Sequence, residues 1–469
     1  MKKTRILLIN PNYTSVGGKL RWTIWHTPPL GLAYIAAILV QEGFEVKILD
    51  LNVESKSPLR ICEEFKPNIV GITCTTPVLK STNDLCKNIK NNFPEIITVV
   101  GGAHPSSMPK DMLVNNKSID FIVIGEGEFT TLEIAENVEN ENKNFSKIKG
   151  IAFREGEKII ITKSRELISN LDSLPFPARE LLPIRKYNSH ICSLKEPEMS
   201  IITSRGCPYN CIFCCKKIFG RVFRARSACN VVDEIEHLVN RYRAREITIV
   251  DDNFTLDKER TIEICKEIIQ RELDISWFTP NGIRADALDE ERIKWMKKSG
   301  CHLLFFGVES GSQRIINKIK KGINLKQIEN VVELCRKYEI DVGLFFMIGL
   351  PNEKEEDIKK TILFAKKLNP DIAKFGITVP FPGTSLFEEL DKKGFIKNYN
   401  FEDYSLHSQP VFETEYLSSD EIMKFYKKAY REFYLDLRHN LRQFSKIRSF
   451  TELKKKIIAA GAIIWNQLT

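Results

Sequence analysis

The stretch RGCPYNCIFC, residues 205–214, contains three cysteines, Cys207, Cys211 and Cys214, separated by three and then two residues. Three thiolates at these spacings can wrap one corner of an iron–sulfur cubane, each binding one iron, and leave the fourth iron open. A zinc knuckle or a chance cluster is the alternative. Zinc usually requires a second Cys or His pair, and no paired spacing follows here. The adjacent Cys215 is poorly placed to share the same cube.

The three cysteines lie in a series of alternating strand and helix patterns. The apolar, strand-like runs cover residues 200–203, 246–250, 277–279, 303–308, 341–346 and 373–379. Amphipathic helices are predicted between them. Six β/α units in about 190 residues predict a partial, open (β/α)6 version of the TIM barrel, whose site lies at the carboxyl ends of the strands.

The pattern Cys-x-x-x-Cys-x-aromatic-Cys after a strand resembles the signature of radical S-adenosylmethionine (SAM) enzymes. In that family the open iron chelates the amino and carboxylate groups of SAM, and one electron cleaves the sulfonium to methionine and a 5′-deoxyadenosyl radical. The resemblance implies that Cys207, Cys211 and Cys214 are the catalytic ligands of a [4Fe–4S] cluster. It also implies that Phe213 packs near the adenine.

Further SAM-binding residues follow the second to fifth strands of this series. The resemblance implies polar groups for the amino end of SAM after the second strand, an arginine for a carboxylate after the third, and ribose- and adenine-side motifs after the fourth and fifth. The residues concerned are Asp251, Asp252, Asn253, Arg284, Glu309, Ser310, Met347 and Gly349. Each alone is equally compatible with a solvated loop or a helix N-cap, whereas their shared position at one end of one barrel favours a SAM site.

Residues 5–140 show an earlier strand–helix alternation, with five apolar runs rich in Val and Ile. Such runs predict a parallel sheet covered on both faces, in a flavodoxin-like doubly wound domain. Glycine-rich turns, GGAH at 101–104 and GEGE at 125–128, follow the fourth and fifth runs. Ligands of such domains bind at those strand ends.

These turns, together with PPLGLAYIA at 28–36, resemble the cobalamin-binding domain that precedes many radical SAM barrels. The combined layout is similar to the group of the anaerobic magnesium-protoporphyrin cyclase and phosphonate methyltransferase. The cofactor's nucleotide tail would need small residues where the backbone approaches it. The predicted cobalamin contacts are Thr73, Thr75, Gly101, Gly102, His104, Gly125 and Glu126. A Rossmann-like domain without a cofactor is the alternative.

The loop after the first strand, NPNYTS at 10–15, departs from the Asp-x-His-x-x-Gly pattern of methionine-synthase-type cobalamin domains. The resemblance then implies a cobalt without a histidine ligand from that loop. His104 is predicted to be a hydrogen-bonding loop residue rather than an axial ligand. Trp22, Trp25 and His26 are predicted either to seal the lower face of the cofactor or to serve as packing residues.

The length of 469 residues predicts several folding units. We expect a cobalamin domain over 1–144, a linker over 145–195, a radical SAM barrel over 196–390 and a helical region over 391–469. Twelve cysteines without a signal peptide or an apolar run of membrane-spanning length predict a cytoplasmic protein that uses thiols and metal ligands rather than disulfides.

The net charge of +9 is concentrated in residues 421–469, where eleven Lys and Arg outnumber four Asp and Glu. Apolar residues recur there at helical spacing: Ile422, Phe425, Ala429, Phe433, Leu437 and Leu441. We favour a helix packed on the barrel with a solvated basic side. Peripheral contact with a membrane or a lipid-like substrate is the alternative. No RNA-binding module follows, so no nucleic-acid partner is expected.

Taken together, the patterns predict a cobalamin-dependent radical SAM enzyme that methylates an unactivated carbon under anaerobic conditions. One SAM would methylate cobalt, and a second would give the radical that activates a small-molecule or lipid-like substrate for methylcobalamin. A flavodoxin or ferredoxin would supply electrons. The alternatives are an oxidative cyclase with the same cofactors, a tRNA methylthiotransferase, and a non-catalytic cobalamin or redox sensor.

Overall fold

Two largely parallel sheets organise the chain, which the computed structural model describes over residues 4–13, 25–142 and 144–446. The strands are β1 (Arg5–Asn10), β2 (Glu45–Asp50), β3 (Ile69–Thr73), β4 (Ile97–Gly101), β5 (Phe121–Val123), β6 (Ile151–Glu155), β7 (Lys158–Ile161), β8 (Glu198–Ile201), β9 (Ser204–Arg205), β10 (Arg224–Ala225), β11 (Glu246–Ile249), β12 (Ser276–Ile283), β13 (Cys301–Glu309), β14 (Asp341–Ile348) and β15 (Ile372–Ile377).

Helices connect these strands and continue beyond the last one. They are α1 (Leu30–Gln41), α2 (Pro58–Phe65), α3 (Leu79–Asn92), α4 (Ala103–Ser107), α5 (Pro109–Asn115), α6 (Glu128–Glu139), α7 (Ala228–Tyr242), α8 (Lys258–Gln270), α9 (Glu290–Lys298), α10 (Gln313–Lys318), α11 (Leu325–Lys337), α12 (Glu355–Leu368), α13 (Ser385–Lys392), α14 (Ser419–Tyr434) and α15 (Leu437–Ser445). Within the described residues, no helix is both long and apolar enough to cross a membrane.

The first sheet has the strand order β2-β1-β3-β4-β5-β6-β7. Its first five strands are parallel in the flavodoxin-like order, so this part of the fold prediction is confirmed. Along β1, Ile6 and Leu8 pack into one core cluster and Leu7 and Ile9 into another, as a strand covered on both faces requires.

The hairpin β6–β7 begins the stretch predicted as a linker and adds two antiparallel strands to this sheet beside β5. A two-stranded hairpin is only marginally stable alone in water. Pairing with β5 satisfies its backbone and covers what would otherwise be an open sheet edge.

The second sheet has the order β15-β14-β13-β12-β11-β8, with all neighbours parallel and, except for β11 and β8, consecutive in the chain. This is an open six-stranded barrel wall, as predicted. Its outer face packs beneath the helices in the largest apolar cluster of the described residues. The short antiparallel pair β9–β10 stands apart and is connected by residues 206–223, which contain the three cysteines and are called the cysteine loop below.

Helix α14 closes the open edge of this sheet. The Tyr430 hydroxyl donates to the Phe375 carbonyl at 2.9 Å. The Tyr434 hydroxyl donates to the Ala373 carbonyl at 2.8 Å and accepts from the Ala373 N–H at 3.2 Å. Two tyrosines therefore satisfy backbone groups of β15 that a seventh strand would otherwise pair.

The apolar stripe predicted through residues 422–441 is interrupted. Phe433 is buried at the end of α14, but Leu437 and Leu441 are 79% and 71% exposed. The reason is a new helix start, because the Asp436 carboxylate accepts hydrogen bonds from the backbone of Arg438 and His439 and caps α15 in a different direction. The part of the basic tail after residue 446 lies outside the described residues.

We expect Tyr434→Phe to lower the free energy of unfolding by about 1–3 kcal/mol, because it leaves buried backbone groups of Ala373 without their partner. Urea denaturation followed by near-ultraviolet circular dichroism measures the change. Tyr416→Phe, at a half-exposed tyrosine, is the control and should shift stability by less than about 0.5 kcal/mol. Equal effects of the two variants would contradict the edge-closing role.

Candidate active site

The cysteine loop follows β9 and is fixed by backbone contacts on several sides. Gly206 has φ +83°, and a Cβ there would lie 2.3 Å from the Val222 carbonyl oxygen, so only glycine fits. The Ile212 N–H donates to the Ile319 carbonyl at 3.2 Å, and the Ile212 carbonyl accepts from Leu386 N–H at 3.0 Å. The loop is thus held against the carboxyl end of the barrel.

Cys207, Cys211 and Cys214 are all partly buried. A hydrogen bond between the Cys211 and Cys214 thiols, helped by Lys321 and Arg284 and opposed by burial, lowers the pKa of Cys211 to about 6, while the same bond raises the pKa of Cys214. A thiolate at neutral pH is the form that binds iron. Within the described residues no three Cys, His, Asp or Glu side chains are arranged to hold a single ion, so the cluster prediction rests on the loop and its donors.

Several predicted SAM residues already form hydrogen bonds or ion pairs with other residues of the protein. Asp251 is buried and accepts from the Thr203 N–H at 2.6 Å and the Ser204 hydroxyl at 2.6 Å. The Arg284 guanidinium forms a two-bond contact with Asp286 at 2.9 and 2.7 Å. Both residues therefore position neighbouring segments, and their contact with SAM stays a prediction.

Other predicted SAM residues present free or strained groups at the same end of the barrel. Asn253 is buried, and neither its amide oxygen nor its amide nitrogen has a hydrogen-bond partner in the described structure. Glu309, the last residue of β13, has φ +68° and pairs with Lys321 Nζ at 2.6 Å. An unpaired buried amide is costly unless a ligand completes it. Asp252 accepts from the Gly206 N–H at 3.2 Å.

The remaining predicted SAM residues lie in or beside the barrel wall. The Ser310 hydroxyl is buried against Thr361 at 3.1 Å, which ties this turn to α12. Gly349 has φ +86°, and its N–H donates to Glu353 at 2.7 Å. Met347 and Phe213 are partly buried and pack on the main core. Their roles toward SAM remain predictions.

A cavity of about 560 Å³ opens at the carboxyl edge of the first sheet. Of the seven predicted cobalamin contacts, six line it: Thr73, Thr75, Gly101, Gly102, Gly125 and Glu126. The sequence did not single out several other polar lining residues: Tyr13, Asp50, Asn52 and Thr131. Asp50 accepts from the Tyr187 hydroxyl at 2.9 Å, a contact from outside the predicted domain that no local motif could reveal.

His104 is not among the residues that line the cavity. Its ring is buried, with Nδ1 3.2 Å from the Thr76 hydroxyl and Phe401 packed at 5.0 Å. Burial lowers the pKa of His104 to about 4. Trp25 and His26 do line the cavity, whereas Trp22 lies outside the described residues.

Residues from the cysteine loop, with Arg205 just before it, close the same cavity. Arg205, Ile218 and Phe219 lie in its wall, opposite the glycine turns. The Arg205 guanidinium donates to Glu126 at 2.8 Å and to Glu128 at 2.6 Å, and all three side chains are almost fully buried. Arg224 adds a second contact to Glu126 at 2.9 Å. This cluster, the Arg205 clamp, joins the cysteine loop to the glycine turn after β5.

The residues around both sites fit the cofactors that the motifs imply. Gly31 lines the cavity and has open space where a Cβ would stand, and a Cβ on Gly125 would be 3.8 Å from the Ile218 carbonyl. Small residues at the sheet edge leave the room that a bulky tail requires. Three cysteine sulfurs in one loop are the donor set of an iron–sulfur cluster.

The fold and this site define a radical SAM barrel that carries a cobalamin-type domain. The B12 binding domain family matches residues 26–135, and the Radical SAM superfamily matches residues 201–365. The uncharacterized methyltransferase PH0819 of Pyrococcus horikoshii is 37% identical over 93% of each chain. The anaerobic magnesium-protoporphyrin IX monomethyl ester cyclase of Rubrivivax gelatinosus is 29% identical over 92% of this chain and 78% of its own.

The solved structure of the radical SAM methyltransferase TsrM from Kitasatospora setae, with cobalamin and a [4Fe–4S] cluster bound, shares the fold. Its TM-score is 0.70 at 20% identity, over 83% of this chain and 78% of that one. The chain belongs to the family of radical SAM enzymes with a B12-binding domain. The predictions of cluster, SAM and cobalamin as cofactors are confirmed by these two matched domains.

We expect Arg205→Met to destabilise the protein by about 3–5 kcal/mol, because Glu128 would be left as a buried carboxylate without a counter-ion. The double variant Arg205→Met/Glu128→Gln should recover part of this loss. Arg221→Met, which removes an exposed arginine of the same loop, is the control. Thermal and urea unfolding of the parent, Arg205→Met, Glu128→Gln and the double variant measure the coupling, with Arg221→Met beside them, and a coupling near zero would contradict the clamp.

Acidification should destabilise the protein through His104. Its folded pKa of about 4 lies below its ordinary value of 6.5, so the unfolded state binds the extra proton first. The stability contribution is complete above pH 6.5 and falls by on the order of 3 kcal/mol as pH drops to 4. His104→Gln should flatten this slope in urea unfolding across pH 4–7. The exposed His237→Gln should leave it unchanged.

Proposed function

We propose that the protein transfers a methyl group from SAM to an unactivated carbon of a small-molecule substrate. The observation that carries this proposal is the single cavity whose walls come both from the cobalamin-type sheet and from the cysteine loop. Arg205 and Phe219 of this lining flank the three cysteines in the chain, so cobalamin in the cavity and a cluster on the cysteines would be near enough to act on one bound substrate in succession. When bound at their two sites, cobalamin would supply a transferable methyl group and the SAM-loaded cluster a 5′-deoxyadenosyl radical.

The chain's own residues would bind, orient and shield these groups. Thr73 and Thr75 offer hydroxyls at the end of β3, and the glycine turns let the backbone approach the ligand. Asn253 offers an unpaired amide beside the cysteine loop. Ile218 and Phe219 supply an apolar wall, which excludes water from a reactive radical.

An oxidative ring closure with the same cofactors is the second candidate. Its support is the similarity to the magnesium-protoporphyrin cyclase of Rubrivivax gelatinosus. A methylthiotransferase reading has less support, because it requires a second cysteine triad in the first domain. Cys62, Cys74 and Cys86 are buried in the apolar core there, and burial raises the pKa of each thiol.

The partners follow from this chemistry. Reductive cleavage of SAM consumes electrons, so we propose flavodoxin or ferredoxin as the donor, in the cytoplasm. The exposed Leu437 and Leu441, next to Arg438 and Arg442, support peripheral contact of α15 with a lipid-like substrate or membrane surface. We propose no nucleic-acid partner.

The test uses anaerobically purified, cluster-reconstituted protein. Titration with hydroxocobalamin, followed by visible absorption, should give stoichiometric binding with a base-off spectrum. After reduction, SAM should yield one equivalent of S-adenosylhomocysteine per cobalamin without substrate, together with slow release of 5′-deoxyadenosine. Release of 5′-deoxyadenosine without S-adenosylhomocysteine would favour the oxidative reading, and failure to bind cobalamin would overturn the proposal.

Cys207→Ala, Cys211→Ala and Cys214→Ala should each abolish iron–sulfur absorption and 5′-deoxyadenosine formation, because each removes one of three ligands. Cobalamin binding should persist, since the cavity lining is intact. Cys229→Ser, at an exposed cysteine of α7, is the matched control and should retain the iron–sulfur absorption and 5′-deoxyadenosine formation. A triad variant that keeps its cluster would contradict the ligand assignment.

A further inference from the structure

The interior of the six-stranded barrel is open along its last two strands. In β14, Phe345 and Met347 remain partly accessible while the residues between and after them are buried. In β15, Lys374 and Gly376 are partly accessible and alternate in the same way with buried neighbours. Since side chains alternate across a strand, one face packs under the helices and the other faces the barrel interior, which we call the lumen, where these four residues keep part of their surface accessible.

Aromatic rings form one wall of this lumen. Phe305 and Phe345 stack with ring centroids 5.1 Å apart, and Phe278 lies in the same small apolar cluster. Lys374 Nζ stands 4.8 Å from the Phe305 centroid and 5.5 Å from the Phe345 centroid. Phe278 and Phe305 are fully buried, so the accessible surface is the Phe345 ring with one amine at its edge.

Lys374 has no carboxylate partner among the described residues, although 37 ion pairs connect charged groups elsewhere in that part of the chain. The titratable groups that face it are His190, His407 and Cys192. Burial, with a smaller effect of Lys374, lowers the pKa of His190 to about 3 and also lowers that of His407, so both rings are neutral. A lysine that is withdrawn from water is normally paired.

A chain of ring contacts connects the inner face of the barrel with the cavity at the edge of the first sheet. Trp25 lines that cavity and packs its ring edge on His190 at 4.8 Å. His190 in turn contacts the Phe278 ring at 5.3 Å.

We propose that Lys374, on the inner face of the barrel, selects an organic anion as the substrate. The carboxylate or phosphate of this anion pairs with the amine, while its apolar or aromatic part lies on the accessible side of Phe345. This inference rests on the proposed methyl transfer and names the substrate class for it. Lys374 would be a specificity-determining residue. A neutral lipid would leave its charge unpaired, which is costly in an apolar surrounding.

The test measures binding rather than turnover. Holoenzyme loaded with cluster, cobalamin and SAM is titrated anaerobically with phenyl phosphate, phenylacetate and the neutral 2-phenylethanol, by calorimetry or ligand-observed NMR. We expect one saturable site that prefers at least one anion over the alcohol. Lys374→Met should weaken the binding of that anion by about tenfold to a hundredfold, because a charge-assisted contact is lost. Lys374→Arg should retain most of the affinity.

Two further variants keep the result interpretable. Lys110→Met removes an exposed lysine and should leave anion binding unchanged. Phe345→Leu should weaken the binding of the aromatic anions several-fold although Lys374 is unchanged, so it tests the aromatic contact independently of the charge. Preference for phenyl phosphate or for phenylacetate separates a phosphorylated from a carboxylated substrate.

The inference is overturned if neither anion binds saturably, or if Lys374→Met binds them as the parent does. Cobalamin titration and 5′-deoxyadenosine formation in the same samples distinguish this failure from that of the proposed function. Intact cofactor chemistry without anion binding rejects only the substrate class. Anion binding without cofactor chemistry rejects the methyl-transfer proposal and leaves an anion site in the barrel.

Discussion

The Arg205 clamp is the interaction on which the arrangement of both sites depends. Arg205 directly precedes the glycine and the first cysteine of the cluster loop, and its guanidinium is buried against Glu126 and Glu128 of the glycine turn after β5. Ion pairs withdrawn from water gain little net stability, because desolvation offsets their attraction. They hold the two segments in one position, because breaking the pair would leave a buried charge without a counter-ion or water. The clamp therefore fixes how far the cysteine loop stands from the sheet edge.

Because that distance is fixed, the first sheet and the cysteine loop both contribute to the lining of the cavity. The glycine turns form one wall, and Ile218 and Phe219, a few residues beyond the cysteines, form the other. Radical chemistry needs reactants held close and water excluded, which a flexible interface between two domains would not provide. Glu126 contributes to both features. Its buried carboxylate lines the cavity and also accepts hydrogen bonds from Arg205, Arg224 and the Ile168 N–H.

The open barrel has a related consequence. A closed eight-stranded barrel fills its interior with side chains, whereas six strands leave an edge that other parts of the chain must cover. Here the tyrosines of α14 satisfy the backbone of β15, so the edge is stable without closure. The inner residues of β14 and β15 stay accessible, and Lys374 is among them. Because the barrel has six strands rather than eight, β15 is left as an open edge, and α14 is needed to cover it.

The sequence by itself determined the two α/β folds and the cysteine triad, because strand periodicity and the Cys207–Cys211–Cys214 spacing are local properties of the chain. It also indicated most of the glycine turn that lines the cavity. Only the tertiary structure decided which polar residues are already engaged, as with Asp251 and Arg284, and that His104 packs away from the cavity. The same holds for the Arg205 clamp and for the unpaired Lys374. These depend on contacts between residues far apart in the chain, and no short-range pattern encodes which side chains a fold brings together.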